Sequence, residues 1–90
     1  MNLSWDEAKR QATLEQRGLD FATVSELFAG LHFTAEDLRR DYGERRFISA
    51  GAIAGRLCVT VWTPRGSARH IISLRKANDR EKKRFAQALI

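Results

Sequence analysis

Ninety residues with 43% apolar side chains and a single proline are too hydrophobic for a disordered chain and suffice for one domain, residues 1–90, around one modest core. Sixteen Lys and Arg oppose eleven Asp and Glu, a net charge of +5, which points to a polyanion or an acidic protein as partner. Cys58 is the only cysteine, so the chain has neither an internal disulfide nor a zinc-thiolate pair, and no window approaches the ~18 apolar residues of a membrane span.

The N-terminus MNLSWDEAKR carries acids where a signal peptide has an apolar stretch, so a cytoplasmic protein is expected. Ser4 followed by Glu7 has capping-box spacing, and Gly18 suits a left-handed stop, which predicts a helix from about Trp5 to Arg17. Phe21, Val24 and Phe28 at i, i+3 and i+7, between Asp20 and Gly30, predict a second, shorter helix. The period then becomes twofold. Leu31, Phe33 and Ala35 alternate with His32, Thr34 and Glu36 as a first strand. The segment DLRRDYGERR reads as an exposed loop or a turn around Tyr42-Gly43.

Strands resume over 47–53 and 56–63, about an Ala54-Gly55 turn, with Leu57, Val59 and Val61 alternating with Cys58, Thr60 and Trp62. Thr63-Pro64-Arg65-Gly66 has the pattern of a type I turn leading into a last strand over 68–75. Asn78 and Glu81 again have cap-and-box spacing, ahead of Phe85, Ala88 and Leu89 on one helical face. The expected architecture is α+β: two N-terminal helices, a four-stranded antiparallel sheet and a C-terminal helix, with the helices on one face of the sheet.

The charge is concentrated. Arg75 to Arg84 holds six Lys or Arg against two acids, +4 of the chain's +5. His32 and His70 lie on separate predicted strands without a clustered third ligand, so no metal and no other cofactor is expected. Cys58 sits in an apolar strand and reads as core rather than nucleophile, and no Gly-rich phosphate loop is present.

Cations beside a few proton-transfer groups suffice for one reaction class, cleavage of RNA by its own 2′-hydroxyl. There the substrate supplies the nucleophile, and the protein adds a base, an acid and a cation for the phosphoryl oxygens. Tyr42, Glu44, His70, Arg75 and Lys76 are the catalytic candidates, and Arg40, Arg45, Arg46 and Arg65 are candidates to hold RNA phosphates. Of Arg75 and Lys76, consecutive on a strand, one should reach the uncovered face. Each also has a structural reading: Trp5 can staple a helix to the sheet, Tyr42 and Glu44 can be turn residues paired with Arg45 or Arg46, and His70 can be a cross-strand partner. Lys82, Lys83 and Arg84 read as a solvated helix face.

Four stretches, WDEAK at 5–9, DYGERRF at 41–47, GRLCVTVWTPRG at 55–66 and IISLRKANDREKKRF at 71–85, occur in the order found in the BrnT-type ribonuclease toxins of bacterial type II toxin-antitoxin systems, which the chain resembles. The resemblance implies a RelE-like fold and a metal-independent endoribonuclease that inhibits translation and growth. It further implies neutralisation by a cognate BrnA-like antitoxin in a heterotetramer of two toxins and two antitoxins, with DNA contacted only through the antitoxin. This chain departs from the family pattern at Thr13, Gln16 and Arg17, and at His70, where the family usually has Arg before the two Ile. The alternative from the composition is a non-catalytic basic module that binds an acidic protein or DNA.

Overall fold

Asp6, not Ser4, caps the first helix in the computed structural model, which describes residues 2–88. The Asp6 carboxylate accepts from the Ala8 N–H at 2.9 Å. Helix α1 then spans Glu7–Arg17 and ends at Gly18, whose φ of 67° lets its N–H close on the Leu14 carbonyl. The expected start at Trp5 is corrected because Asn2–Trp5 is a strand, β1. An extended chain turns both Leu3 and Trp5 toward the core while Ser4 faces away, which a helix could not do. Glu7, expected to box with Ser4, instead accepts from Trp5 Nε1 at 3.0 Å and from Arg10 and Gln11.

Asp20 caps a 3-10 turn, Phe21–Thr23, through the Ala22 N–H, and the turn runs directly into the short helix α2, Val24–Ala29. Arg10 ties α1 to this turn with bonds of 2.8 and 3.1 Å to the Asp20 carboxylate. Strands β2 (His32–Glu36), β3 (Phe47–Ile53), β4 (Arg56–Arg65) and β5 (Ala68–Lys76) follow as an antiparallel meander. β1 lies parallel against β5, from Asn2 opposite Ala68 to Trp5 opposite Ile71. The expected four-stranded antiparallel sheet is therefore a five-stranded mixed sheet in the order β1-β5-β4-β3-β2.

The Ala54-Gly55 turn has both residues left-handed, φ 51° and 74°, as a two-residue hairpin of primed type requires. The expected turn at Thr63–Gly66 is corrected. β4 continues through Pro64 and Arg65, and the hairpin closes on Gly66-Ser67, with Arg65 opposite Ala68. β3 starts opposite Trp62, so Pro64 lies where β4 has a neighbour on one side only, and a residue without an N–H is tolerated there.

One face of the sheet is closed by Phe21, Val24 and Leu27 on Ile53, Cys58, Trp62, Ile71 and Leu74, with Leu3, Trp5, Leu19, Phe28 and Phe47 around them. Gly51 permits this contact, since a Cβ there would meet Leu27 Cγ at 2.9 Å. The buried Trp62 indole donates to Ser49 Oγ at 2.9 Å, and that oxygen lies 2.7 Å from Thr34 Oγ1. Burial also pushes the Cys58 thiol pKa up, in keeping with a core cysteine.

Helix α3, Asp79–Ala88, crosses the opposite face, so helices flank both sides of the sheet rather than one. Its start is the expected capping box: Glu81 N–H donates to Asn78 Oδ1 at 2.9 Å, and Asn78 N–H donates to Glu81 Oε1 at 3.0 Å. Phe85 and Ala88 roof a cavity of about 320 Å³ above Phe33, Ala35, Ile48, Ala50 and Val59. Leu89, expected on the same helical face, lies outside the described residues.

Candidate active site

Alternation along β4 and β5 sends Thr63, Arg65, His70, Ser73 and Arg75 to the face opposite Trp62 and Leu74. α3 lies over one part of this face, and the ten-residue loop 37–46 is tied to another. The loop is built around Asp37, whose side chain is 1% exposed. That carboxylate accepts from Arg39 Nε and Nη2, each at 2.8 Å, from the Arg39 N–H and from the Tyr42 hydroxyl at 2.9 Å, while its own N–H donates to the Arg46 carbonyl. The Arg39 guanidinium holds the Asp37 carboxyl far below the usual carboxylate range.

The loop is pinned to the sheet by Thr63 Oγ1, which donates to the Arg45 carbonyl at 2.6 Å. Arg46 lies over the Tyr42 ring at 4.1 Å. Glu44 is the loop carboxylate without a hydrogen bond among the described residues, since Asp37 is saturated and Asp41 accepts from the Gly43 N–H. It makes only long ion pairs, 3.5 Å to Arg46 Nε and 3.7 Å to Arg65 Nη2.

His70 lies within reach of the Glu44 and Arg65 charges. Burial, and then the Arg65 charge, push its pKa below the ordinary value, while Glu44 and Asp6 pull the other way. The imidazole is therefore neutral at neutral pH. Its Nδ1 lies 2.9 Å from Ser4 Oγ on the neighbouring β1.

Arg75 reaches the same face nearer α3, where both of its terminal nitrogens sit 2.7 Å from the Glu81 carboxylate oxygens. The pairing raises the Arg75 pKa and lowers that of Glu81 to about 2. Arg39 is near enough to act on the Arg75 charge, so the loop and the Arg75 end share one electrostatic field.

The proposed residues thus divide. Glu44 pairs with Arg65 and Arg46, His70 lies within reach of the Glu44 and Arg65 charges, and Arg75 is farther along β5. Tyr42 is close, but its hydroxyl is committed to Asp37. Lys76, one residue on from Arg75, points to the opposite face, beside Gln16, Arg17 and Leu19 at the end of α1. Arg45 turns away to Glu36, at 3.0 and 3.1 Å, and lies over Phe47. Arg40 is exposed on the loop. Sequence reasoning missed Asp37, Arg39 and the second role of Glu81, and took Ser4 for a cap. The signal for Ser4 was present in the alternation of Leu3, Ser4 and Trp5, whereas nothing periodic joins Arg75 to Glu81 across the strand-to-helix turn.

Residues 5–81 match the family model of the ribonuclease toxin BrnT of type II toxin-antitoxin systems. The chain belongs to the BrnT family. A search of the curated proteins finds no match. The family match runs from Trp5 to Glu81 and so takes in loop 37–46, the β3–β5 meander and the Arg75–Glu81 pair. As a BrnT toxin the chain is a ribonuclease with RNA as substrate and an antitoxin as partner. Among the described residues no helix is long and apolar enough to cross a membrane.

Proposed function

We propose that this BrnT toxin is an endoribonuclease that works by 2′-hydroxyl attack, without an obligatory metal, on the sheet face between loop 37–46 and α3. The observation that carries the reading is the grouping of a neutral imidazole, His70, with a carboxylate, Glu44, and a guanidinium, Arg65, on a strongly cationic face.

In this reading His70 takes the proton of the ribose 2′-hydroxyl as the 2′-oxygen bonds to phosphorus. Glu44 stabilises the imidazolium that forms through its charge alone. Arg65 and Arg75 hold the phosphoryl oxygens as the P–O5′ bond breaks, and the 5′-oxygen takes its proton from solvent. The products are a 2′,3′-cyclic phosphate and a 5′-hydroxyl. Tyr42 and Asp37 serve to hold Glu44 in place, and Lys76 is left out of the chemistry. Cleavage of cellular RNA would inhibit translation and growth until a BrnA-like antitoxin, in a complex of two toxins and two antitoxins, neutralises the basic face.

The test is incubation of the purified toxin with a defined RNA in excess EDTA, with analysis of the product ends. Cleavage leaving cyclic phosphate and 5′-hydroxyl ends is expected. Loss of cleavage in EDTA with recovery on a divalent cation, or 5′-phosphate ends, would overturn the mechanism while leaving the family assignment intact.

A further inference from the structure

The His70 ring feels the charges of Glu44 and Arg65 and is bonded to β1, the parallel edge strand, whose Ser4 Oγ lies 2.9 Å from Nδ1. Register places Ser4 directly beside His70, and Thr63 is the residue opposite it on β4. The Thr63 hydroxyl turns instead to the loop, donating to the Arg45 carbonyl at 2.6 Å, and makes no hydrogen bond to the ring. Ser4 Oγ, in turn, makes no other side-chain hydrogen bond among the described residues. The parallel strand thus brings to the sheet one oxygen free to hold the imidazole.

We propose that Ser4 is a positioning residue for the ribonuclease reaction: it accepts the Nδ1–H of His70, fixes that tautomer, and leaves Nε2 as the nitrogen that takes the 2′-hydroxyl proton. This rests on the ribonuclease mechanism given above. A free neutral imidazole has no such constraint, and which nitrogen carries the proton is set by the partner of the other. The hydroxyl can accept from Nδ1–H in both the neutral tautomer and the imidazolium, so the ring need not turn when Nε2 gains its proton. The charged groups around the ring are Arg65 and Lys9, which disfavour the imidazolium, and Glu44 and Asp6, which favour it. Ser4 adds no charge, so its effect is on orientation and tautomer rather than on net electrostatics.

The experiment combines 15N NMR of the two imidazoles, assigned with His32→Gln, with kinetics on a defined RNA for wild type, Ser4→Ala and Ser4→Thr. In wild type above the His70 pKa, Nδ1 is expected to be the protonated nitrogen. In Ser4→Ala the ring should shift toward the Nε2–H tautomer, kcat should fall about tenfold with KM little changed, and Ser4→Thr should restore both, a smaller effect than the roughly hundredfold or more expected for losing the base itself. A wild-type His70 protonated at Nε2, or a Ser4→Ala protein with an unchanged tautomer, overturns the proposal. So does a tautomer shift with no loss of kcat. A wild-type toxin that cleaves no RNA would sink the ribonuclease mechanism and any catalytic purpose of Ser4 with it, and the NMR arm would still decide whether Ser4 controls the ring.

Discussion

The Arg75 guanidinium and the Glu81 carboxylate meet fork to fork, with both N···O distances at 2.7 Å. Two oxygens of a phosphate would present the same geometry to the same fork. In the proposed mechanism Glu81 would have to yield this place on Arg75 to an RNA phosphate, and α3 is held to the sheet by the same contact. Glu81→Gln removes the charge but keeps the oxygen that accepts from Asn78 N–H, so the helix retains its capping box. The variant is expected to bind a 2′-O-methyl RNA, which lacks the nucleophile, about three- to tenfold more tightly, roughly the net worth of one ordinary hydrogen bond. Filter binding at fixed salt measures this, and an affinity no better than wild type would show that Glu81 does not shield Arg75. Because Arg75 lowers the Glu81 pKa from 4.5 to about 2, the pair's contribution to stability is complete above pH 4.5. It is lost as the pH falls toward about 2, and in Glu81→Gln that part of the acid sensitivity should disappear.

Truncating the other partner separates phosphate binding from folding. Arg75→Ala leaves β5 paired on both sides and is expected to lower kcat on a defined RNA by roughly a hundredfold or more, the usual size for losing a preorganised cation at developing charge. Arg75→Lys, a point charge without the planar fork, should recover only part of that rate. Circular dichroism and thermal melts check that the fold survives. Full activity in a folded Arg75→Ala protein would remove this residue from the mechanism.

His70 gives the site a pH signature. Its folded pKa lies below the ordinary 6.5, through burial first and the Arg65 charge second. Between that lowered value and 6.5 the unfolded chain binds more protons than the folded one, so stability rises with pH across this window. The contribution is complete above 6.5 and is lost as the pH falls through the folded pKa. Activity follows the same group: kcat/KM should fall on the acid side with a midpoint below 6.5, and His70→Gln should remove that limb along with most of the rate. An acid limb retained in His70→Gln would assign the titration to another group.

Much of the fold was legible because it rests on local signals. Gly18, the Ala54-Gly55 hairpin and the Asn78–Glu81 box are dictated by backbone geometry at single residues, and all three stand where the spacing placed them. The N-terminal strand was not legible. Ser4-x-x-Glu7 matches a capping box, and the four residues of β1, which overlap it, are too few to outweigh that pattern until β5 is present to pair with them. Pro64 misled in the same way, since it is a turn former in isolation and is tolerated in β4 only because β3 has not yet begun beside it. At the site, candidate residue types for RNA cleavage could be named from sequence. Their sorting could not: Arg75 and Lys76 fall on opposite faces, and Tyr42 is drawn to Asp37, a buried carboxylate that the loop's polar composition gave no reason to single out.

Asp37 is the residue on which the position of Glu44 depends. Its buried carboxylate gathers Arg39 and Tyr42, the Tyr42 ring carries Arg46, and Arg46 lies against Glu44. Asp37→Asn keeps the size but offers an amide in place of one carboxylate oxygen, so the Arg39 fork and the Tyr42 hydroxyl can no longer both be satisfied. The loop should loosen from the Tyr42 end while Thr63 still holds the Arg45 carbonyl. The expected result is a lowered melting temperature together with a fall in kcat, even though residue 37 is assigned no contact with RNA. Amide hydrogen exchange should report the loosening at residues 38–44 with β4 and β5 unaffected. Tyr42→Phe, which loses one of these bonds and keeps the ring under Arg46, should show the same changes on a smaller scale. If Tyr42→Phe instead abolished cleavage while exchange and melting stayed as in wild type, the hydroxyl would have to act on the substrate itself, and Tyr42 would return to the catalytic group.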